Sequence, residues 1–427
     1  MRTSAEHAPI PFAFSFRASS LACLIVAVAM LLSSIVFSEP AVADGLMLIA
    51  IVALPVLGAV RFGNAALLNY AMWLALVALG VAGTMLSTTF DTAIVDQLVT
   101  LFLASCAFII AGFVAADPEP RLKLILYCYV IACLVATAAA FVGYFHIIPS
   151  TYDLFTNYDR ARGTFKDPNV YSAALAPAIV TLVWIMLRDN TKRALIAAAV
   201  ALPLLVGLLI SFSRGAWLST ALSIAIVIAI VLIGSRRRTD YLRFATFGVV
   251  GIVALITAVG VATQLDGQIQ DLLEQRANLD QSYDEGPEGR FGGQQKARAL
   301  IVEHPFGIGT YTFRDTYHHE EAHNVYLTIF LDAGWLGGLL YIISVVTTLF
   351  LGFRMAMQPG RLQGPAVIAV ASFAGLAFEG LVIDTDHWRH FFIIAGIIWG
   401  IADALPVPID QTRRRDDPVP ESAGGLA

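Results

Sequence analysis

Apolar runs of some twenty residues recur down nearly the whole chain, and they constrain its fold more than any other feature. Crossing roughly 30 Å of hydrocarbon takes about 20 residues as a helix. Inside a bilayer every backbone N–H and C=O must be satisfied by the protein itself, which leaves helices or closed barrels. Here the apolar residues come in blocks, so helices follow. We place spans at 19–37, 45–60, 65–86, 94–116, 122–146, 169–187, 194–211, 216–234, 243–264, 323–353, 364–383 and 389–405. The expected fold is all-α and polytopic, with about twelve transmembrane helices. Charged residues make up 14% of the chain, little over half the roughly 25% of a soluble domain. Cys23, Cys106, Cys128 and Cys133 all fall in apolar runs and read as small buried hydrophobes. The second span is short and interrupted by Pro55. Ala41-Val42-Ala43 resembles a signal cleavage site, but the preceding apolar core is longer than a signal's and more spans follow, so an uncleaved helix is expected.

Lysine and arginine set the orientation. With the N-terminus in the cytoplasm, seventeen of the 27 basic residues fall in cytoplasmic segments and none in the first two outer loops. This is the positive-inside pattern, and twelve spans return the C-terminus to the cytoplasm. Residues 1–405 form the membrane domain, with 265–322 as an outer loop between spans nine and ten. Residues 406–427 are a polar, proline-rich tail expected to be disordered. The outer basic residues gather in four places: Arg160, Arg162 and Lys166; Arg214; Arg276, Arg290, Lys296, Arg298 and Arg314; and Arg389. Seven of the eight histidines lie on the same side. Chemistry, if present, is therefore expected at the outer face. Within the long loop, 290–303 reads as a short amphipathic helix. Ala297, Leu300 and Ile301 lie on one face, with Arg290, Gln294 and Arg298 elsewhere. His304-Pro305 ends it, and Gly307-Ile308-Gly309 makes a turn. Such a helix could lie on the membrane surface as a lid.

Several constellations could carry chemistry. His323-Asn324, nine residues, Gly334, two residues and Gly337-Gly338 put a histidine at the outer boundary and a small-residue patch deeper in the helix. The glycines suit close helix packing. The histidine is either a general base or an interfacial residue that caps the helix. Arg160, Arg162 and Lys166 precede Pro168 at a helix start, which makes either an anion site or a solvated loop against headgroups. Arg214 sits in Ser211-Phe212-Ser213-Arg214-Gly215, a turn too short to leave the membrane, where a cation is costly unless paired. Its candidate structural partners are Asp384 and Asp386. His318-His319-Glu320-Glu321-Ala322-His323 offers zinc-ligand residue types, but its spacing matches no well-known metal motif. Asp384, Asp386, His387, Arg389 and His390 form another dense outer group.

These residues resemble the signature of the bacterial O-antigen ligase family. The likeness runs through Arg162-Gly163-Thr164-Phe165, Asp167-Pro168-Asn169, Ser213-Arg214-Gly215, Arg290 before Gly307-Ile308-Gly309, and His323-Asn324-x9-Gly334-x2-Gly337-Gly338, covering roughly 160–340. Where that family often has an aromatic shortly after the loop-helix arginine, this chain has Gln294 and Gln295. The same superfamily includes O-antigen and exopolysaccharide polymerases. The resemblance implies an inverting, metal-independent membrane glycosyltransferase of the GT-C type, needing no cofactor, in the bacterial inner membrane with its site facing the periplasm. Its donor would be a glycan on undecaprenyl diphosphate. Its acceptor would be a hydroxyl of lipid A–core, or of another glycan in a polymerase. Its partners would be these and the membrane lipids, with no nucleic acid. His323, Arg214 and Arg162 would be catalytic, and Arg290, Arg160, Lys166 and Asn324 would bind substrate. The rival of another class is a transporter or flippase, but the two halves are dissimilar and the ionisable residues avoid the midplane.

Overall fold

A computed structural model describes residues 12–234, 241–246, 248–249, 251, 253, 257, 260, 286 and 289–405. The described chain is almost wholly helical, with one two-stranded hairpin. Ahead of the hairpin come α1 (Phe12–Leu32), α2 (Val42–Val56), α3 (Asn64–Thr84), α4 (Phe90–Ala116), α5 (Pro118–Tyr144) and the single turn α6 (Tyr152–Phe155). The hairpin is β1 (Thr156–Asn157) and β2 (Arg160–Ala161). After it come α7 (Pro168–Arg188), α8 (Thr191–Ile210), α9 (Arg214–Gly234), α10 (Arg290–Glu303), α11 (Val325–Ala356), α12 (Gln363–Glu379) and α13 (Arg389–Ala404). Seven of these, α3, α4, α5, α7, α8, α9 and α11, are long and apolar enough to cross a membrane. α2, α12 and the part of α1 from Arg17 are shorter apolar helices. Most of the ninth expected span, 243–264, lies outside the described residues, as do 265–285 and the tail 406–427.

Small residues set how closely the helices approach. α13 is buried through most of its length and forms the bundle's centre. A methyl group added at Gly396 or Gly400 would sit 2.5 Å from Ala107 O or 2.7 Å from Ala111 O on α4. Glycines four apart on one helix thus face alanines four apart on the other, and dispersion between nearly touching backbones holds the pair. Gly375 of α12 meets the Ser219 carbonyl of α9 in the same way, 2.6 Å from its added methyl.

Charged groups tie off the two ends. At one end, Asp403 accepts from the N–H groups of Gly63, Ala65 and Ala66 at 2.9–3.1 Å and so caps α3. Arg121 is buried there, donating to the carbonyls of Ala59 and Phe113 at 2.6 Å each. The opposite end carries the connections 33–41, 85–89, 145–167, 211–213, 304–324 and 380–388, joined by hydrogen bonds between several of them. α10 covers 290–303, as its pattern predicts, and packs on α11 with Trp335 Nε1 donating to Ile301 O at 2.7 Å. One detail differs: Gln294 lies on the buried face with Ala297 and Leu300. It turns inward to bond protein backbone, with Nε2 at 3.4 Å from His323 O.

Candidate active site

The residues singled out in sequence collect at the loop-rich end. Tyr158 and Asp159, with φ of 51° and 55°, join β1 to β2. Two left-handed residues in a two-residue loop match the right-handed twist of the strands. Asp159 is held by Tyr152 Oη at 2.8 Å. This hairpin, absent from the sequence reading, turns Arg160 inward. Arg160 is buried and donates through Nε to Ser211 O and through Nη2 to Asn169 Oδ1, each at 2.7 Å. It therefore ties the 160–169 segment to the turn before α9. Arg162 donates to Lys166 O at 3.2 Å and Asp153 O at 3.1 Å, and its Nε is buried with no hydrogen-bond partner among the described residues. Lys166 is exposed, 3.9 Å from Glu39. α7 starts at Pro168 as expected, but its N-terminus is capped from within by Asp167, whose Oδ1 accepts from Asn169 N at 2.7 Å. An anion at this place would be held by the side-chain cations rather than by the helix end.

Arg214 is the first residue of α9, following a turn in which Phe212 has φ 50°. The adjoining Gly215 lies against Val382 and Glu379. Glu379, which the sequence reading passed over, is 1% exposed and accepts from Ser219 Oγ at 2.7 Å. A carboxyl within an apolar run gave the sequence signal that could have found it. The contact brings the start of α9 beside the end of α12.

His323 lies two residues before α11 and has φ 48°, a left-handed backbone uncommon outside glycine. Its Nε2 lies 3.1 Å from Glu320 Oε2, with the ring about one-third exposed. The capping role belongs to its neighbour. Asn324 Oδ1 accepts from Tyr326 N and Leu327 N at 3.1 and 3.3 Å, and Nδ2 donates to Leu381 O at 3.0 Å. Ten residues on, Gly334 is not a helix-packing glycine. With φ 70° and ψ −171° it breaks α11, and Trp335 N donates instead to Pro305 O at 2.9 Å. Ile308 N takes the Leu331 carbonyl at 2.7 Å. The Gly307-Ile308-Gly309 turn is thus docked into the break, and a methyl at Gly334 would fall 2.6 Å from Pro305 O.

Acidic groups surround this point. Asp384 accepts from Thr328 Oγ1 at 2.6 Å, in the first turns of α11. Burial, reinforced by Asp386, raises Asp384 to about 6. Burial also raises Glu321 to about 7, with Asp384 adding to it and Arg314, 3.6 Å away, opposing. Burial alone would lower His387, but Asp386 and Asp96 outweigh it and raise the imidazole. Asp96 reaches this group from α4, 2.6 Å from Tyr311 Oη and 3.7 Å from His387 Nδ1. It too lay unnoticed in an apolar run. Carboxyls near neutrality beside a histidine are suited to moving a proton at physiological pH. Among the described residues no group of three His, Cys, Asp or Glu side chains is arranged to hold a metal ion. His318 and His319 lie ring against ring in a tilted arrangement, centroids 4.5 Å apart. Arg290 heads α10, one turn before Gln294 meets the His323 carbonyl.

The fold defines an all-α, multi-spanning membrane protein, with a cluster of histidine and carboxyl groups at the loop-rich end of its bundle. Residues 198–342, about a third of the chain, match a family model described as O-antigen ligase, so that stretch is similar to this family. The matched stretch includes Arg214, Arg290, His323 and Asn324 and ends before Arg162 is reached on the N-terminal side. No curated protein matches the chain.

Proposed function

We propose that the protein is a glycosyltransferase of the inner membrane with both termini cytoplasmic and twelve spans. It moves a glycan from undecaprenyl diphosphate onto an acceptor hydroxyl at the periplasmic face. The O-antigen ligase description of the matched family favours lipid A–core as the acceptor class over a second glycan. One observation carries the reading: motifs spread over more than 160 residues of sequence meet at one end of the bundle. Arg160 joins the 160–169 segment to the Arg214 turn, α9 adjoins α12 at Glu379, and the 380–384 loop holds the start of α11 behind His323.

The chemistry follows from the contacts. With Glu320 as the carboxylate, His323 Nε2–H donates to it, which leaves Nδ1 as the proton acceptor. The acceptor oxygen attacks the anomeric carbon, its proton passes to Nδ1, and the bond from that carbon to the diphosphate oxygen breaks. Attack from the face opposite the leaving group inverts the configuration. Undecaprenyl diphosphate leaves as an anion whose charge Arg162, Arg214 and Arg290 meet, with Lys166 adding to the field, so no metal is required.

The test is transfer by purified, reconstituted His323→Ala. Loss of a positioned base lowers turnover by about 10²–10⁴, while binding of the undecaprenyl-diphosphate donor persists because the arginines are intact. Near-normal transfer by this variant would remove His323 as the base. Deletion in the native host separates the two acceptor classes: a ligase defect leaves free lipid-linked polymer, and a polymerase defect leaves single repeats.

A further inference from the structure

A cavity of about 180 Å³ lies beside the groups just described and does not include His323, Arg162 or Arg214 in its walls. The α1–α2 link, α5, the 165–170 segment and the 384–393 segment enclose it. At roughly 30 Å³ per water, this volume is on the scale of one sugar ring.

Its chemistry disfavours the diphosphate. Four carboxylates, Glu39, Asp167, Asp384 and Asp386, face Lys166, Arg389 and the His387 imidazole. Arg389 is already committed, pairing with both oxygens of Asp44 at 2.7 Å and lying 3.6 Å from Glu39. An incoming anion would meet a surplus of like charge. Two neutral groups point to a different ligand. Ser34 is 2% exposed and His390 4%, and both line the cavity. Ser34 Oγ and His390 Nε2 have no hydrogen-bond partner among the described residues. A buried polar atom left unsatisfied is costly, and two in one cavity call for a ligand that completes them. Carboxylates accept hydrogen bonds, whereas a serine hydroxyl and an imidazole both give and take them. Trp388 supplies an apolar wall, its ring 5.2 Å from that of His390. Acceptors, amphoteric groups and an indole together suit the hydroxyls and C–H face of a neutral pyranose. Asp384 belongs to both places, lining the cavity and accepting from Thr328 behind His323.

We propose that this cavity is the acceptor subsite, holding one neutral pyranose ring through Ser34, His390 and the carboxylates and directing its hydroxyl past Asp384 toward His323. That the sugar is the acceptor rests on the transferase reading; that the cavity takes a neutral sugar does not.

The experiment uses the full-length protein in phospholipid nanodiscs, which avoid sugar-headed detergents. Saturation-transfer NMR is run with a panel of methyl hexopyranosides, methyl heptopyranosides and N-acetylhexosaminides. At least one glycoside binds the wild type. Ser34→Ala and His390→Leu each weaken it on the order of fivefold to tenfold, while His390→Gln, which keeps a polar nitrogen near the same place, restores most of the affinity. Binding survives in His323→Ala. The inference is overturned if no glycoside in the panel binds, if neither Ser34→Ala nor His390→Leu weakens binding, or if inorganic diphosphate displaces the glycoside. In the transfer assay, a raised acceptor KM with unchanged donor KM in Ser34→Ala supports the acceptor assignment, and an unchanged acceptor KM overturns it. Glycoside binding without transfer by the wild type would sink the transferase reading and leave the sugar site standing.

Discussion

At the scale of single residues, the charges at the loop-rich end divide by burial. Arg160, a substrate-binding residue by the family resemblance, donates through its guanidinium to two protein acceptors. Lysine keeps the charge but cannot reach Ser211 O and Asn169 Oδ1 together. Arg160→Lys should therefore lower stability by about 1.5–3 kcal/mol, the usual loss for a hydrogen bond to a charged group. Lys166→Gln should change it little, since the Lys166–Glu39 pair is exposed. Thermal melting of the two variants side by side checks the contrast. Glu321 gives a pH signature. Its ordinary value of 4.5 rises to about 7 in the fold, chiefly through burial. The folded state then holds a proton that the unfolded state releases between those values, so stability falls as pH climbs from about 4.5 through about 7. Glu321→Gln stays neutral throughout. It should melt higher than wild type at pH 8, by an amount equivalent to at most ~3 kcal/mol, and no higher at pH 4.5. An equal gain at both pH values would show that the carboxylate's charge is not the cause. That these groups share one end of the bundle was legible from the distribution of charge along the sequence. Their pairing was not, because His323 meets Glu320 through a left-handed backbone that no residue pattern announces.

At the scale of elements, most helices were legible because hydrophobic length is a strong local signal. The α10 helix was found to the residue, between Gly289 and His304-Pro305. What escaped were features decided by a distant partner. The β1–β2 hairpin is too short and too polar to show a strand period. The break in α11 exists because the 305–309 turn, nearly thirty residues earlier, takes the hydrogen bonds that a continuous helix would have made. Gly334 permits this, since φ 70° with ψ −171° is a region essentially closed to residues with a side chain. Gly334→Ala should destabilise by more than ~3 kcal/mol, combining about 1–3 kcal/mol of backbone strain with the collision against Pro305 O. Gly45→Ala provides the contrast. Gly45 sits inside α2 with nothing within 4 Å of an added methyl, so the change should be neutral or stabilising by up to about 1 kcal/mol. Melting temperatures that fall alike in both variants would mean that Gly334 is only a packing glycine.

At the scale of the whole molecule, the fold sorts its charges to the two ends and leaves the middle to small and apolar side chains. Asp403 and Arg121 secure one end through backbone caps, and the other end carries the histidine, the raised carboxyls and the sugar-sized cavity. The orientation proposed from the positive-inside count puts the capped end in the cytoplasm and the site in the periplasm, and on that proposal depends which substrates can arrive. A glycan on a polyprenyl diphosphate carries its own activation, as a compartment without ATP demands. Two exposed positions test the orientation. Tyr158 is 82% exposed on the hairpin beside Arg160, and the Arg361 side chain is 86% exposed between α11 and α12. Background labelling should be low, since Cys106, Cys128 and Cys133 are buried and Cys23 is half-buried within α1. Tyr158→Cys should react with a membrane-impermeant maleimide in intact cells once the outer membrane is permeabilised. Arg361→Cys should react only after lysis. The reverse pattern would turn the molecule over and place His323 in the cytoplasm, where neither a translocated lipid-linked glycan nor lipid A–core at the outer leaflet could reach it. The transferase assignment would then fail on access alone, whatever the chemistry of its residues.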